Sequence, residues 1–314
     1  MSVVSLAREK EGRILIAVGV QLPEVERKVS WSELRDMAVI AEESGLDSVW
    51  VGEHLLYRLQ DGSVRGPWDC WTLLAGLAEC TSEIQIGPLV SCLPFHNPAM
   101  LAKKAVAVDE LSGGRLILGV GSGWNRREFE AFGFNYSERF GCFSESIKVL
   151  HDLLRGKTVT YQGNHIRLQD CVILPSGPRT EGLPIMFGGN GSRVTSAALP
   201  YLDGWNLWYT WFGNDIERYP AIAQQFDARC INAGRDPDTV DKSIALLVDM
   251  TGGRHKSKRL NSNVNPLSGD PESLSRTLID VAAFGVSHVQ LVLDPITTDS
   301  IDALSKTIHM LKSD

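Results

Sequence analysis

Residues 98–125 read PAMLAKKAVAVDELSGGRLILGVGSGWN. Apolar residues recur at helical spacing from Pro98 to Leu111, Ser-Gly-Gly ends that run, and the apolar stretch RLILGVG over 115–121 follows at once. A strand without polar alternation is one buried on both faces, as in parallel sheets joined by helices. The same unit recurs in both directions. Strands are predicted at 13–20, 46–51, 83–90, 184–188, 204–209, 243–250 and 287–293. Helices are predicted at 31–44, 68–80, 126–131, 142–155, 191–200, 214–233, 271–284 and 299–312. Ser30, with Glu33 three residues on, forms a capping box for the helix at 31–44, and Gly45 closes it. Residues 53–67 read as a polar loop, and 157–183 as an irregular insertion rich in Gly, Pro and β-formers. Eight strand–helix units predict an α/β chain folded as a (β/α)8 TIM-type barrel. No stretch has linker composition, so one domain is expected over 1–314.

Composition agrees with this reading and narrows the partners. Of 314 residues, 43% are hydrophobic and 22% charged, which excludes disordered, collagenous and coiled-coil chains. The net charge of −7 argues against nucleic acid, whose phosphates favour a basic surface. No apolar run reaches the roughly 18 to 20 residues that a membrane helix needs. The opening MSVVSLAREKEGR lacks the pattern of a secretory signal, so a cytoplasmic location is expected. Cys70, Cys80, Cys92, Cys142, Cys171 and Cys230 are scattered with no C-x-x-C, as suits free thiols in a reducing compartment.

In such a barrel the chemistry lies at the C-terminal ends of the strands. The first strand ends without a His-x-His pair, the seven histidines are dispersed, and no metal site is expected. The sixth strand carries no lysine for a Schiff base. The second strand ends Val51-Gly52-Glu53-His54, where a histidine beside a carboxylate is suited to moving a proton near neutral pH. Glu53 reads equally as a brace for the loop. Glu128 and Glu130, beyond the fourth strand, read as a solvated helix face, although with Asp249 at the end of the seventh strand a glycosidase-like carboxylate pair stays open. Gly119-Val-Gly-Ser-Gly-Trp124 fails as a dinucleotide fingerprint because Trp124 stands where glycine is required. Its glycines would instead let backbone approach something large and flat. Gly188-Gly-Asn-Gly-Ser-Arg193 opens a helix, with Ser192 and Arg193 as candidate phosphate donors.

Together these stretches resemble the bacterial-luciferase-like oxidoreductases, single TIM-type barrels that use reduced FMN or the deazaflavin coenzyme F420. The matching segments are GLDSVWVGEH (45–54), IGPLV (86–90), Asn97-Pro-Ala, DELSGGRLILGVGSGWN (109–125), EAFG (130–133), PIMFGGN (184–190) and Asp203-Gly-Trp205. They span about residues 13–210; the last third matches only in its strand–helix rhythm. The resemblance implies a non-proline cis peptide at Leu89–Val90, bulging against the cofactor ring. It implies Glu53 and His54 beside that ring, with His54 handling the proton. Cys92 and Asn125 fall near the ring's polar edge, and Gly188, Gly189 and Asn190 along the ribityl-phosphate arm. Cys92 stands where a hydroxyl residue is common, and a buried inert thiol is its other reading. Trp124 occupies the place of a glutamate acid in a deazaflavin dehydrogenase branch, which implies different chemistry from that sugar-phosphate branch; it walls the substrate pocket or simply packs.

The function implied is F420-dependent hydride transfer to or from a small organic substrate. The alternatives are a two-component, reduced-FMN monooxygenase inserting oxygen, and a catalytically silent flavin-binding barrel. A separate cofactor reductase or dehydrogenase is the expected partner, and the family implies a homodimer. Trp68, Trp124, Trp208 and Trp211 are candidate walls for an apolar or flat substrate. Arg254, Lys256, Lys258 and Arg259 form a basic cluster on the loop after the seventh strand, read either as a lid that meets a cofactor phosphate or as a solvated loop.

Overall fold

The computed structural model describes residues 8–10, 13–59, 62–253 and 264–313. The eight barrel strands are β1 (Ala17–Gln21), β2 (Ser48–Val51), β3 (Gln85–Pro88), β4 (Leu118–Gly121), β5 (Ile185–Gly188), β6 (Gly204–Leu207), β7 (Asp241–Asp249) and β8 (His288–Asp294). Neighbours pair in parallel in the order β3-β2-β1-β8-β7-β6-β5-β4. The ladder closes where Ser91–Cys92, the continuation of β3, pairs with β4 through Ser91↔Val120 and Cys92↔Gly121. An isolated bridge, Ile86↔Leu116, joins the same two strands lower down. The predicted α/β, TIM-type architecture is therefore present.

Helices follow the strands: α1 (Trp31–Glu43), α2 (Cys70–Cys80), α3 (Pro98–Leu111), α4 (Arg126–Ala131), α5 (Arg139–Leu154), α6 (Ser192–Ala198), α7 (Tyr219–Asn232), α8 (Pro271–Ala283), α9 (Thr298–Asp302) and α10 (Leu304–Ser313). Short polar side chains start them. Asp69 accepts from Thr72 N at 2.8 Å, Asn97 from Ala99 N at 3.0 Å, and Asp270 from Ser273 N at 3.0 Å. Ser30 caps α1 through Glu33 N at 3.3 Å, but the Glu33 carboxylate turns to Arg27 Nη1 at 3.0 Å. Only half of the predicted capping box forms, because a guanidinium outcompetes a neutral amide for that carboxylate.

Other boundaries move for local reasons. Residues 13–15 pair antiparallel with 8–10, so the barrel strand begins at Ala17. The expected helix over 214–233 opens as a 3-10 turn at Ile216–Arg218, and the α-helix starts at Tyr219 with Pro220 in its first turn, where a missing N–H costs nothing. The loop at 53–67 holds a small ribbon, Tyr57–Arg58 against Val64–Arg65. The insertion is also more regular than expected. Val159–Gln162 and Arg167–Cys171 form an antiparallel ribbon. Its turn is anchored to α5 by Glu145, which accepts from Asn164 N, His165 N and Ile166 N at 2.9–3.0 Å.

The outer faces of the strands and the inner faces of the helices make one core, with Val20, Val49, Ile86, Leu118, Leu246 and Leu291 fully buried. Burial of each such side chain contributes about 1.5 to 3 kcal/mol. Inside the barrel, Trp50, Leu89, Ile117 and Met186 form a second cluster. Beside them, Trp50 Nε1 donates to Ser48 Oγ at 2.7 Å, and Ser48 Oγ lies 2.7 Å from His288 Nε2. Complete burial lowers the His288 pKa to about 3, so it is neutral.

The longest motif, DELSGGR, serves the opposite end of the barrel. Gly113 and Gly114 take φ of +66° and +88° to turn the chain out of α3. Arg115 then donates to Thr81 Oγ1, Ile84 O, Ala78 O and Thr81 O at 2.6–2.8 Å, satisfying carbonyls that α2 leaves open. Asp109 accepts from Leu116 N at 3.1 Å and pairs with Arg179. Among the described residues, no helix is long and apolar enough to cross a membrane.

Candidate active site at the open end of the barrel

The open end is built around the turn between β3 and its continuation. Leu89–Val90 is a cis peptide, as the resemblance implied. Leu89 points down into the Trp50 cluster, while Val90 lies half-buried above it. The glycines of β4 and β5 make room for Val90. A Cβ at Gly121 or Gly188 would stand 2.7 Å from a Val90 methyl, and one at Gly119 would stand 3.1 Å from it. Val90 itself fills the space those glycines leave, so it forms an apolar step set into a glycine cradle.

Glu53 fastens this turn. Its buried carboxylate accepts from Ser91 Oγ at 2.8 Å, Cys92 N at 2.7 Å and His96 Nε2 at 2.8 Å. With three donors in place it acts as a brace, the second of the two roles its sequence position allowed. His96 was not anticipated; nothing local marks it, since its partner lies 43 residues away. Cys92 is buried, and a Cβ at Gly123 would come 2.7 Å from its Sγ. Burial, then the charges of Glu53 and Glu128, push its thiol pKa well up, which fits an inert thiol.

His54 is the titratable group that faces the opening, with its side chain 17% exposed. Its Nδ1 lies 3.1 Å from Glu128 Oε1, and Leu55 N donates to Glu128 Oε2 at 2.9 Å. Burial lowers the His54 pKa, but the Glu128 hydrogen bond and the charges of Glu24, Glu128 and Glu53 outweigh it, so the net direction is up. The reading of Glu128 as a solvated residue is corrected here: its side chain is 1% exposed because α4 turns it inward to meet His54. Glu130 does stay at the surface, paired with Arg126 at 2.7 Å. Tyr57 and Trp124 complete a ring cluster around His54, at centroid distances of 4.6 and 5.7 Å.

The remaining predicted residues are held by their neighbours. Asn125 Nδ2 donates to Leu56 O at 3.0 Å, tying the loop after β4 to the loop after β2. Gly189 N donates to Asn206 O at 3.1 Å, and Trp205 Nε1 donates to Gly189 O at 2.7 Å. Gly188 borders Val90, and Asn190 accepts from Arg229 Nη1 at 3.3–3.4 Å. Arg193, the candidate phosphate donor, lies with its guanidinium over the Phe140 ring at 3.7 Å. The basic cluster at 254–259 lies outside the described residues.

The profile of the luciferase-like monooxygenases matches residues 5–255. The F420-dependent glucose-6-phosphate dehydrogenase of Amycolatopsis mediterranei is 32% identical over 248 residues, covering 75% of this chain and 70% of that one. The 4-hydroxyprotoasukamycin monooxygenase of Streptomyces nodosus subsp. asukaensis is 33% identical over 268 residues, 79% of this chain and 68% of its own. Other curated relatives are spanned over 50% to 71% of their length. Among solved structures, an F420-dependent secondary alcohol dehydrogenase superposes with a TM-score of 0.75 at 18% identity, over 95% of this chain and 99% of that one. That likeness concerns the fold, and the sequence matches concern descent: the chain belongs to the luciferase-like monooxygenase family.

Proposed function

We propose that this chain is an oxidoreductase that binds coenzyme F420 and exchanges hydride with a small organic molecule. The observation that carries the reading is the His54–Glu128 pair, a histidine held ready to carry a proton on the residue after Glu53, which itself braces Ser91 and Cys92. The family's F420-named relatives support the cofactor. The residues present fit such a group. Val90 offers an apolar platform, and a Cβ at Gly191 would meet nothing within 4 Å, so the β5 turn leaves room for an elongated arm.

The bound deazaflavin supplies the hydride chemistry. Leu89 and Val90 position its ring, and Glu53, through Ser91, Cys92 and His96, keeps that platform in place. Gly188, Gly189 and Asn190 line its arm, while Cys92 and Asn125 contribute shape through the loops they hold. His54 gives or takes the accompanying proton at Nε2, because Nδ1 is committed to Glu128. Proximity and orientation are the main contribution of the protein.

A second reading, a reduced-FMN monooxygenase, is favoured by the similarity to the Streptomyces enzyme. Anaerobic titration with F420 and with FMN, in both redox states, separates the two. Tight FMN binding with oxygen-dependent product formation refutes the F420 reading. Either way a separate enzyme is expected to turn over the cofactor, and we place the protein in the cytoplasm as a homodimer, which sedimentation tests.

A further inference from the structure

The ring cluster at the open end, together with the sign of the charges behind it, says what kind of molecule the site selects. His54, Tyr57 and Trp124 stand with centroids 4.6, 5.7 and 6.1 Å apart. Trp124 is 63% exposed although it belongs to this cluster, so an indole surface remains open beside His54. Trp208, at the end of β6, packs on the same Trp50–Leu89–Met186 cluster that supports Val90. Aromatic surface therefore lies after two strand ends, with Trp208 on the cluster under Val90 and Trp124 beside His54. Flat rings stack on such surfaces more favourably than burial of their area alone would give.

The electrostatics are equally one-sided. The charges that weigh most on His54 are Glu24, Glu128 and Glu53, and those on Tyr57 include Glu24, Glu128 and Glu26. Cys70 and Cys92, below the same loop, feel Glu53 foremost. Among the described residues, the Glu128 carboxylate stands nearest to His54, 3.1 Å from its Nδ1. An anion brought beside His54 meets carboxylates and loses hydration, both unfavourable.

We propose that this site takes a flat, apolar substrate without negative charge, a neutral aromatic ring compound, and rejects phosphorylated or carboxylated ones. The inference rests on the proposed function for the reaction that follows binding. The test uses the full chain loaded with oxidised F420, titrated calorimetrically with 2-naphthol, 2-naphthoate and 2-naphthyl phosphate. The naphthol is expected to bind, with both anions at least about tenfold weaker. Trp124→Ala is expected to weaken naphthol binding about tenfold, and Trp124→Phe to restore it to within about threefold. Circular dichroism checks that both variants fold, and the charge comparison on the unmodified chain decides the question even if one does not. Anions that bind as well as the naphthol, no naphthol binding, or a folded Trp124→Ala variant with unchanged affinity overturn the inference. Cofactor absorbance in the same samples reports F420 occupancy separately. A chain that refuses F420 yet sorts the three ligands refutes the cofactor reading and upholds this one. A chain that takes F420 and prefers the naphthyl phosphate does the reverse.

Discussion

Replacing Asp241 by asparagine should change how the stability of the barrel depends on pH. Asp241 begins β7 at the closed end, where its backbone N donates to Asp203 O at 3.0 Å. Both residues line a small recess with Ile117, Pro184, Ile185 and Met186. Burial, then the Asp203 charge, raises the Asp241 pKa from 3.8 to about 7. Below about pH 4 the folded and unfolded chains both hold the proton, and the stabilisation is fully present. Between about pH 4 and 7 the unfolded chain releases the proton while the folded chain keeps it, so stability falls as pH rises. A roughly thousandfold difference in proton affinity corresponds to about 4 kcal/mol at most, and partial access of water to the carboxylate reduces this to about 2 to 4 kcal/mol. For a chain of 314 residues, an unfolding entropy near 0.7 kcal/mol per kelvin turns that into about 3 to 6 °C. Melting curves at a fixed scan rate, from pH 4 to pH 8, should show the wild type losing that much more than Asp241→Asn. Parallel curves, with a gap that stays constant across the range, refute the assignment of a buried neutral carboxyl.

Four further outcomes concern the open end. His54→Asn should lower hydride transfer by about 10² to 10⁴ in single-turnover assays, and undiminished transfer removes His54 from the mechanism. Glu128→Gln, which leaves burial of His54 unopposed by its nearest charge, should move the corresponding limb of the pH–rate profile to lower pH. Glu53→Gln should lower the melting temperature and weaken cofactor binding with little change in the rate of the bound complex, because hydrogen bonds to an ionised group are worth about 1.5 to 3 kcal/mol each. An unchanged cofactor Kd would contradict its bracing role. Gly188→Ala should displace Val90, whose methyl would stand 2.7 Å from the new Cβ. Overpacking of this kind costs about 1 to 3 kcal/mol, and a variant matching wild type in melting and cofactor affinity would contradict the cradle.

The barrel was legible because its strands are apolar on both sides and its helices carry periodic faces, both visible in a window of a dozen residues. Val18-Gly-Val20 and Leu118-Gly-Val120 announce themselves in that way. His54 was reachable from its place at the end of β2 beside a carboxylate, and the Leu89–Val90 turn only through family resemblance, since no local pattern marks it. Glu128 and His96 were not reachable. Each acts through a partner 74 or 43 residues distant, and a carboxylate on a short polar helix looks the same whether it faces water or a histidine. Arg193 shows a related limit: its position beside a strand-to-helix turn suggested an anion, and the ring of Phe140 on α5, which its guanidinium overlies, has no local signal in the sequence.

The way the barrel closes has a mechanical consequence. Between β3 and β4 the sheet is joined by one low bridge and by two residue pairs that lie beyond the Leu89–Val90 break. The neighbouring joints run as unbroken ladders, whereas this one is interrupted by the turn. The platform proposed for the cofactor straddles it, so whatever settles on Val90 also rivets the joint. Occupancy should therefore register as slowed amide exchange at Val120, Gly121 and Cys92, coupling the contents of the site to the hoop strength of the whole scaffold.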